Sequence, residues 1–562
     1  MRKVAALLSV VLIAAGCTSA SGHKGSGPPP GSAPAVAPSN GDAAARAAAI
    51  AAGLDEVDLV GQVLMPYSYG NDADKVTPAS ATANRKYAGV ATPAELVAKY
   101  RIGGLILVGW SADDPTAGTN PTSNVDSPAQ ITKLTGGLQA AAGKLAAGVP
   151  LLIATDQEYG AVTRIRTGIT QLPSAMALGA AADPKLTESG WRAAGSDLAA
   201  IGVNVDFAPD ADVLGPAGSG VIGSRSYGSD PRLVSEQVSA AVQGMQASGV
   251  AATLKHFPGH GHTTADSHTS LPVLTQSRAA LESGDLPPFQ AGITAGAGLI
   301  MSAHLDVRSI DPGVPSSLSS KVLIDLLRGQ LGFTGVVVTD SLGMAPVARF
   351  GPAESAVRAL LAGNDLLLMP PDLASVQRGL LDALHSGRLP KQRLVEAVTR
   401  ILTLKLKLAA NPRPDPSTVN SEAHRAAAAS VAAGAVTLLR GSCGAPLVHG
   451  PVRVTAAGGR SQQRAWLSAA LRAQGVPVVD SGGSVVHLVG YGDTASDLAA
   501  GATVTVAMDT PYVLRNAASP ALLATYSSTQ ASMTALAAVL AGKARPTGKS
   551  PVAVTGLPRS AC

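Results

Sequence analysis

From about residue 54 onward, short apolar runs alternate with alanine- and leucine-rich stretches, and the runs have the length of strands rather than helices. They are GQVLMP (61–66), GGLILVG (103–109), PLLIATD (150–156), NVDFAPDADV (204–213), AATLKHF (251–257), GLIMSAH (298–304), GVVVTD (335–340) and NDLLLMP (364–370). Eight such strands separated by helical stretches predict an α/β fold, a parallel (β/α)8 TIM-type barrel over residues 51–410, rather than an open sheet. A Pro-rich break, NPRPDPST, follows. Beyond it, runs such as SVVHLVGYG (484–492) and ATVTVAMDT (502–510) alternate with Ala-rich helices, which predicts a smaller α/β sandwich domain over 425–562.

The start of the chain stands outside this rhythm. Arg2 and Lys3 precede an apolar stretch, 4–15, too short to span a bilayer comfortably but suited to the core of an export signal. It ends LIAAGC, which resembles the bacterial lipoprotein signal, where the cysteine, here Cys17, becomes the lipid-modified first residue. Residues 1–16 are therefore expected to be a signal peptide and 17–50 a flexible tether with little to bury. The expected location is the outer face of the cell membrane, with the lipid as anchor. Outside the cytoplasm Cys443 and Cys562 could pair, tying the last residue to the second domain, although two spacings do not establish a bridge. Lys and Arg total 43 against 38 Asp and Glu, a net charge of +5. It is spread without a dense basic block or interleaved aromatics, which argues against a nucleic-acid partner.

A parallel barrel carries its chemistry at the C-terminal ends of its strands. Asp156, Asp212, Lys255, His256, His304 and Asp340 all fall at or just past such an end. A strand-end or capping hydrogen bond explains any one of them; six on one predicted face point to a site. The segment 255–272, KHFPGHGHTTADSHTSLP, concentrates His256, His260, His262 and His268 on a stretch too broken by Gly and Pro to be regular structure.

These motifs resemble glycoside hydrolase family 3, in its NagZ-like, β-N-acetylglucosaminidase branch. The resemblance rests on KHFPGHG followed by DSHTSLP, with TDSLGM (339–344), ATDQE (154–158), GSRSYG (223–228) and AGNDLLLMP, in that order. It implies a retaining exo-β-N-acetylglucosaminidase that removes non-reducing terminal N-acetylglucosamine, with peptidoglycan fragments as the expected source. It implies Asp340 as nucleophile, His268 as acid/base and Asp266 as the carboxylate that orients His268. It also implies Asp156, Arg164, Arg225, Lys255 and His256 as sugar-binding residues, with His304 in support, no cofactor and no metal. A monomer is expected.

The chain departs from the family pattern in places. Tyr159 and Ala161 follow ATDQE where glycine and then arginine are usual, His262 stands where GHG is normally followed by aspartate, and Asp210 replaces a usually apolar residue. Other readings stay open at this level. The His and Asp cluster includes ordinary metal-ligand types, though without a helix-borne HExxH. A broader β-glycosidase is a second alternative and a non-catalytic sugar-binding surface lipoprotein a third. A phosphorylase is a fourth, because a histidine acid/base does not repel an incoming phosphate as a carboxylate would.

Overall fold

Eight short parallel strands close into a ring. In the computed structural model, which describes residues 40–109, 124–216, 218–263 and 265–562, they are β1 (Leu64–Met65), β2 (Gly104–Ile106), β3 (Leu152–Thr155), β4 (Val205–Asp206), β5 (Ala251–Phe257), β6 (Leu299–Ser302), β7 (Val336–Thr339) and β8 (Leu367–Leu368). Gly104 lies opposite Leu152, Ala154 opposite Val205, Val205 opposite Ala251, Thr253 opposite Leu299, and Leu299 opposite Val336. Closure comes from Leu64 opposite Leu367, a parallel bridge between Val338 and Leu366, and a bond from the Ile106 N–H to the Pro66 carbonyl at 3.0 Å. Helices cover the outer face and side chains fill the inside. Both faces of each strand are thus buried, which is why the strands read as unbroken apolar runs rather than as alternation.

Helix starts are written into the sequence as a capping residue followed by proline. Thr77-Pro78, Thr92-Pro93, Ser127-Pro128, Asp183-Pro184 and Asp230-Pro231 each open a helix, the first residue's side chain accepting a backbone N–H of the first turn.

One expected boundary is corrected. A helix runs over Asn40–Gly53, so the last residues of the expected 17–50 tether belong to the fold. Ala43, Ala47 and Ala51 recur every fourth residue and are buried, against the helix Lys391–Ala409. The apolar content of this stretch is low only because alanine is small; the same residue is the best helix former. The expected signal peptide, the rest of the tether and Cys17 lie outside the described residues. Among the described residues no helix is long and apolar enough to cross a membrane.

The second domain is a five-stranded sheet of β9 (Thr437–Arg440), β10 (Val452–Ala456), β11 (Ser484–Val489), β12 (Val504–Ala507) and β13 (Ala521–Ala524), in the order β9-β13-β12-β11-β10 with only β9 antiparallel. Its side chains alternate between two environments, as a strand's must. Leu438, Val486, Leu488, Val504, Val506 and Leu523 pack under the sheet's own helices, Ser461–Ala473 and Gln530–Leu540. Leu439, Val489, Ala507, Leu522 and Ala524 face the barrel and share an apolar core with its Met176, Ala177, Leu214 and Ile222. Cys443 and Cys562 form a disulfide, their Cα atoms 5.4 Å apart, which closes a 119-residue separation.

Candidate active site

The strand ends converge on a cleft at the barrel's C-terminal face. Its walls include Asp156, Glu158, Arg164, Arg225, Lys255, His256, His268 and Asp340. Among the described residues every side chain lining it comes from the barrel.

Asp340 directly follows β7. Its Oδ1 accepts the Ser341 N–H at 2.7 Å, and its own N–H donates to the Ser302 carbonyl. Burial opposes charge on this carboxyl, but the nearby His304, His256 and His268 and the Ser341 N–H outweigh it and hold Asp340 below the usual carboxylate range. An ionised, partly open carboxylate is what a nucleophile requires. His304 does not line the cleft. Its Nε2 reaches the Ser341 carbonyl at 3.0 Å, so that nitrogen carries the proton, and Nδ1 takes the Ser317 hydroxyl at 2.7 Å. Burial lowers its pKa against the opposing pull of the Asp340 carboxylate, and the ring props the Asp340–Ser341 turn from behind.

The loop after β5 brings His268 to the same cleft. Its Nδ1 lies 2.7 Å from Asp266 Oδ1, which also accepts the His268 backbone N–H at 2.9 Å. Since Asp266 is held ionised by these bonds against the effect of burial, Nδ1 is the donor and Nε2 is left free to exchange a proton. Ser267, between them, turns inward to His260 Nε2 at 3.2 Å and pins the loop.

Below the dyad lies a buried set of charges. Arg225 forks onto Glu158 at 2.7 and 2.9 Å, and Lys255 Nζ reaches the same carboxylate at 2.5 Å. Lys255 also meets Asp156 at 3.3 Å, and Arg164 meets the other Asp156 oxygen at 3.2 Å. Burial works against charge on Glu158, yet Arg225 and Lys255 pull its pKa down to about 2. Three cations face two carboxylates. Together they set N–H donors and carboxylate acceptors side by side, which suits oxygen-rich ligands. His256 is placed by Asp212, which takes its Nδ1–H at 2.8 Å and its backbone N–H at 3.1 Å, while Arg225 donates to Nε2 at 3.1 Å. Both ring nitrogens are therefore engaged within the protein.

Glu158 and Asp212 received no role from sequence. A signal existed for each: Glu158 follows Asp156 by two residues just past β3, and Asp212, six residues past β4, stands among the strand-end polar residues.

Asp210, Asp212 and His256 are the one His/Asp group among the described residues gathered closely enough to hold a cation. The donor set does not fit one. His256 Nδ1 presents a proton, Asp212 already accepts three N–H groups including that of His260, and Arg225 stands 3.9 Å from Asp210.

The model of the glycosyl hydrolase family 3 N-terminal domain matches residues 61–404, more than half of the chain. The chain belongs to this family. It is 35% identical to beta-hexosaminidase A of Pseudoalteromonas piscicida over 383 residues, which are 63% of this chain and 62% of that protein, under two thirds of its length. It is 41% identical to a beta-hexosaminidase of Xylella fastidiosa over 271 residues, 47% of this chain and 78% of that one. A family 3 beta-N-acetylglucosaminidase from Paenibacillus sp. superposes with a TM-score of 0.77 at 31% identity, covering 89% of this chain and 99% of the other.

As a family 3 chain, its departures from the pattern can be located. Tyr159 adopts φ 65°, the left-handed region that favours glycine, and its ring packs edge-on to Trp191 with centroids 5.6 Å apart. His262 bonds Asp285 at 2.9 Å. Neither lines the cleft. Asp210 is buried, and burial followed by the neighbouring Asp212 pushes its pKa well up, so this family 3 barrel carries a neutral acid where an apolar residue is usual.

Proposed function

We propose that this family 3 protein is a retaining exo-β-N-acetylglucosaminidase, exported and lipid-anchored through Cys17, that removes terminal N-acetylglucosamine from peptidoglycan fragments. The observation that carries the reading is that Asp340 and the Asp266-oriented His268 line one cleft, together with Asp156, Arg164 and Lys255. The names of the relatives support the substrate class; the leading segment LIAAGC supports the location.

The chemistry follows from the atoms. An Asp340 oxygen attacks the anomeric carbon and the glycosidic C–O bond breaks, while His268 Nε2–H gives its proton to the departing oxygen. In the second half Nε2 takes a proton from water, the hydroxyl adds to the anomeric carbon, and Asp340 leaves. Asp266 stabilises the imidazolium that enters the first half and is re-formed in the second, and between them it holds the neutral ring with its proton on Nδ1. Lys255, Arg164 and Asp156 offer donors and acceptors to the sugar's hydroxyl and acetamido groups, and Glu158 with Asp212 fixes the residues around them.

The test uses purified protein and aryl β-glycosides of N-acetylglucosamine, glucose and N-acetylgalactosamine, with and without phosphate. Preferred release of N-acetylglucosamine is expected. Absence of turnover, preference for the glucoside, or release of the sugar 1-phosphate would overturn the reading. For the anchor, Cys17→Ala should free the protein from the membrane fraction or leave its precursor unprocessed; unchanged retention of a processed protein would count against lipidation.

A further inference from the structure

Among the described residues Tyr491 is the one Phe, Tyr or Trp that is exposed, at 41%. A single exposed ring on a protein surface needs no explanation by itself. Its place does. Tyr491 stands two residues past Val489, the end of β11, and Val489 lies opposite Ala507 on the neighbouring parallel strand β12. Two residues past Ala507 is Asp509, whose carboxylate accepts the hydroxyl of Ser224, the residue before Arg225. Tyr491 and Asp509 thus leave adjacent strands at matched positions, on the edge of the second domain that meets the barrel's sugar-site arginine. The phenol lies within electrostatic reach of Asp509, Arg225 and Asp266, the last being the carboxylate that holds His268.

The loop is braced while the ring is left open. Arg460 Nη2 donates to the Tyr491 carbonyl at 2.8 Å and pairs with Asp493 at 3.0 Å; Asp493 in turn accepts the Gly490 N–H at 2.7 Å. A fixed backbone under an uncovered aromatic ring is what a binding platform needs, because little ordering remains to be done when the ligand arrives.

The reaction geometry says what would lie there. The sugar to be released occupies the cleft over Asp340, and the leaving oxygen must meet His268 Nε2. The leaving group therefore lies on the His268 side of the cleft, beside the Asp266–His268 loop. We propose that Tyr491 is a specificity-determining residue that stacks on the apolar C–H face of the leaving sugar ring, so that the second domain completes the leaving-group subsite although it adds nothing to the catalytic pair. This rests on the glycosidase reading above.

The closing experiment compares kcat/KM for a β-1,4-linked N-acetylglucosamine disaccharide with that for β-N-acetylglucosaminyl fluoride, whose leaving group has no ring. Tyr491→Ala is expected to lower the disaccharide value about three- to tenfold more than the fluoride value, mainly through KM. Tyr491→Phe and Tyr491→Trp should restore the ratio, since each returns a ring, and all variants should melt within a few degrees of the parent. Equal values for both substrates in the alanine variant and the parent, or an equal loss on both, would overturn the platform while leaving the glycosidase reading intact. An unaltered protein that turns over neither substrate would overturn both.

Discussion

Asp266 accepts both the ring Nδ1–H and the backbone N–H of His268, at 2.7 and 2.9 Å, so one carboxylate fixes the tautomer and the loop that carries it. The opposite nitrogen is thereby committed to proton transfer. His268→Ala is expected to lower kcat/KM about 10²- to 10⁴-fold on glycosides with poor leaving groups, and much less on activated aryl glycosides, where departure needs little protonation. Asp266→Ala should follow the same pattern more mildly, because the imidazole stays. Asp340→Ala should abolish turnover on every glycoside, since no other group forms the covalent intermediate. Azide added to the His268→Ala enzyme should give a β-glycosyl azide. Near-normal turnover by Asp340→Ala, or an unchanged His268→Ala enzyme on disaccharides, would sink the assignment.

Much of this arrangement was legible in the sequence because it is linear. Barrel strands announce themselves as apolar runs, and a parallel barrel forces their C-terminal ends to one face, so Asp156, Lys255, His256 and Asp340 could be gathered without coordinates. Side-chain pairing across strands was not legible. Nothing local in ATDQE says that Glu158, rather than Asp156, takes the fork of an arginine 67 residues away, or that Asp212 spends itself on His256 and His260. Tyr491 was hidden for a further reason: its relation to Asp266 depends on how one domain docks on another, which no periodicity reports. The helix from Asn40 was missed because alanine contributes little to a hydropathy reading and much to helix stability.

Among the described residues Glu158 is the one carboxylate whose side chain pairs with both Arg225 and Lys255, and all three are buried. Glu158→Gln keeps the shape but leaves two cations with one fewer countercharge. Removing one partner of a buried ion pair costs about 3–5 kcal/mol, and a loss of this order in denaturant unfolding is expected, with binding of N-acetylglucosamine weakened in whatever folds. A variant that unfolds at the parent's denaturant midpoint would show that solvent reaches the set and screens it.

His262 supplies a pH dependence whose sign can be worked out. Its bond to Asp285 favours the imidazolium and outweighs the opposing effect of partial burial, so its folded pKa lies above the ordinary 6.5. The stabilisation is then fully present below about 6.5, the unfolded value, and is lost as pH rises through the higher folded value. His262→Gln should therefore destabilise more at pH 5.5 than at pH 9. The side chain is 23% exposed, so the difference is expected to be only about 0.5–1 kcal/mol after solvent screening. Equal penalties at the two pH values would mean that the imidazolium is not the species bonded.

Tyr159 sets two effects against each other at one position. At φ 65° a side chain with a Cβ is strained by roughly 1 kcal/mol relative to glycine. The ring, 1% exposed and edge-on to Trp191, supplies the opposing term, since truncating a buried aromatic costs about 3–5 kcal/mol. Burial is the larger, so Tyr159→Gly, which restores the residue usual in the family, should destabilise this protein by about 2–4 kcal/mol. Tyr159→Ala loses the same ring but keeps the strain, and should be less stable than the glycine variant by about 1 kcal/mol. Thermal or urea unfolding of the three proteins separates the terms. Because Tyr159 does not line the cleft, the folded fraction of both variants should keep the parent's preference among glycosides. A glycine variant more stable than the parent would show that the backbone term dominates, and an alanine variant equal to it would show that the left-handed conformation relaxes once the ring is gone.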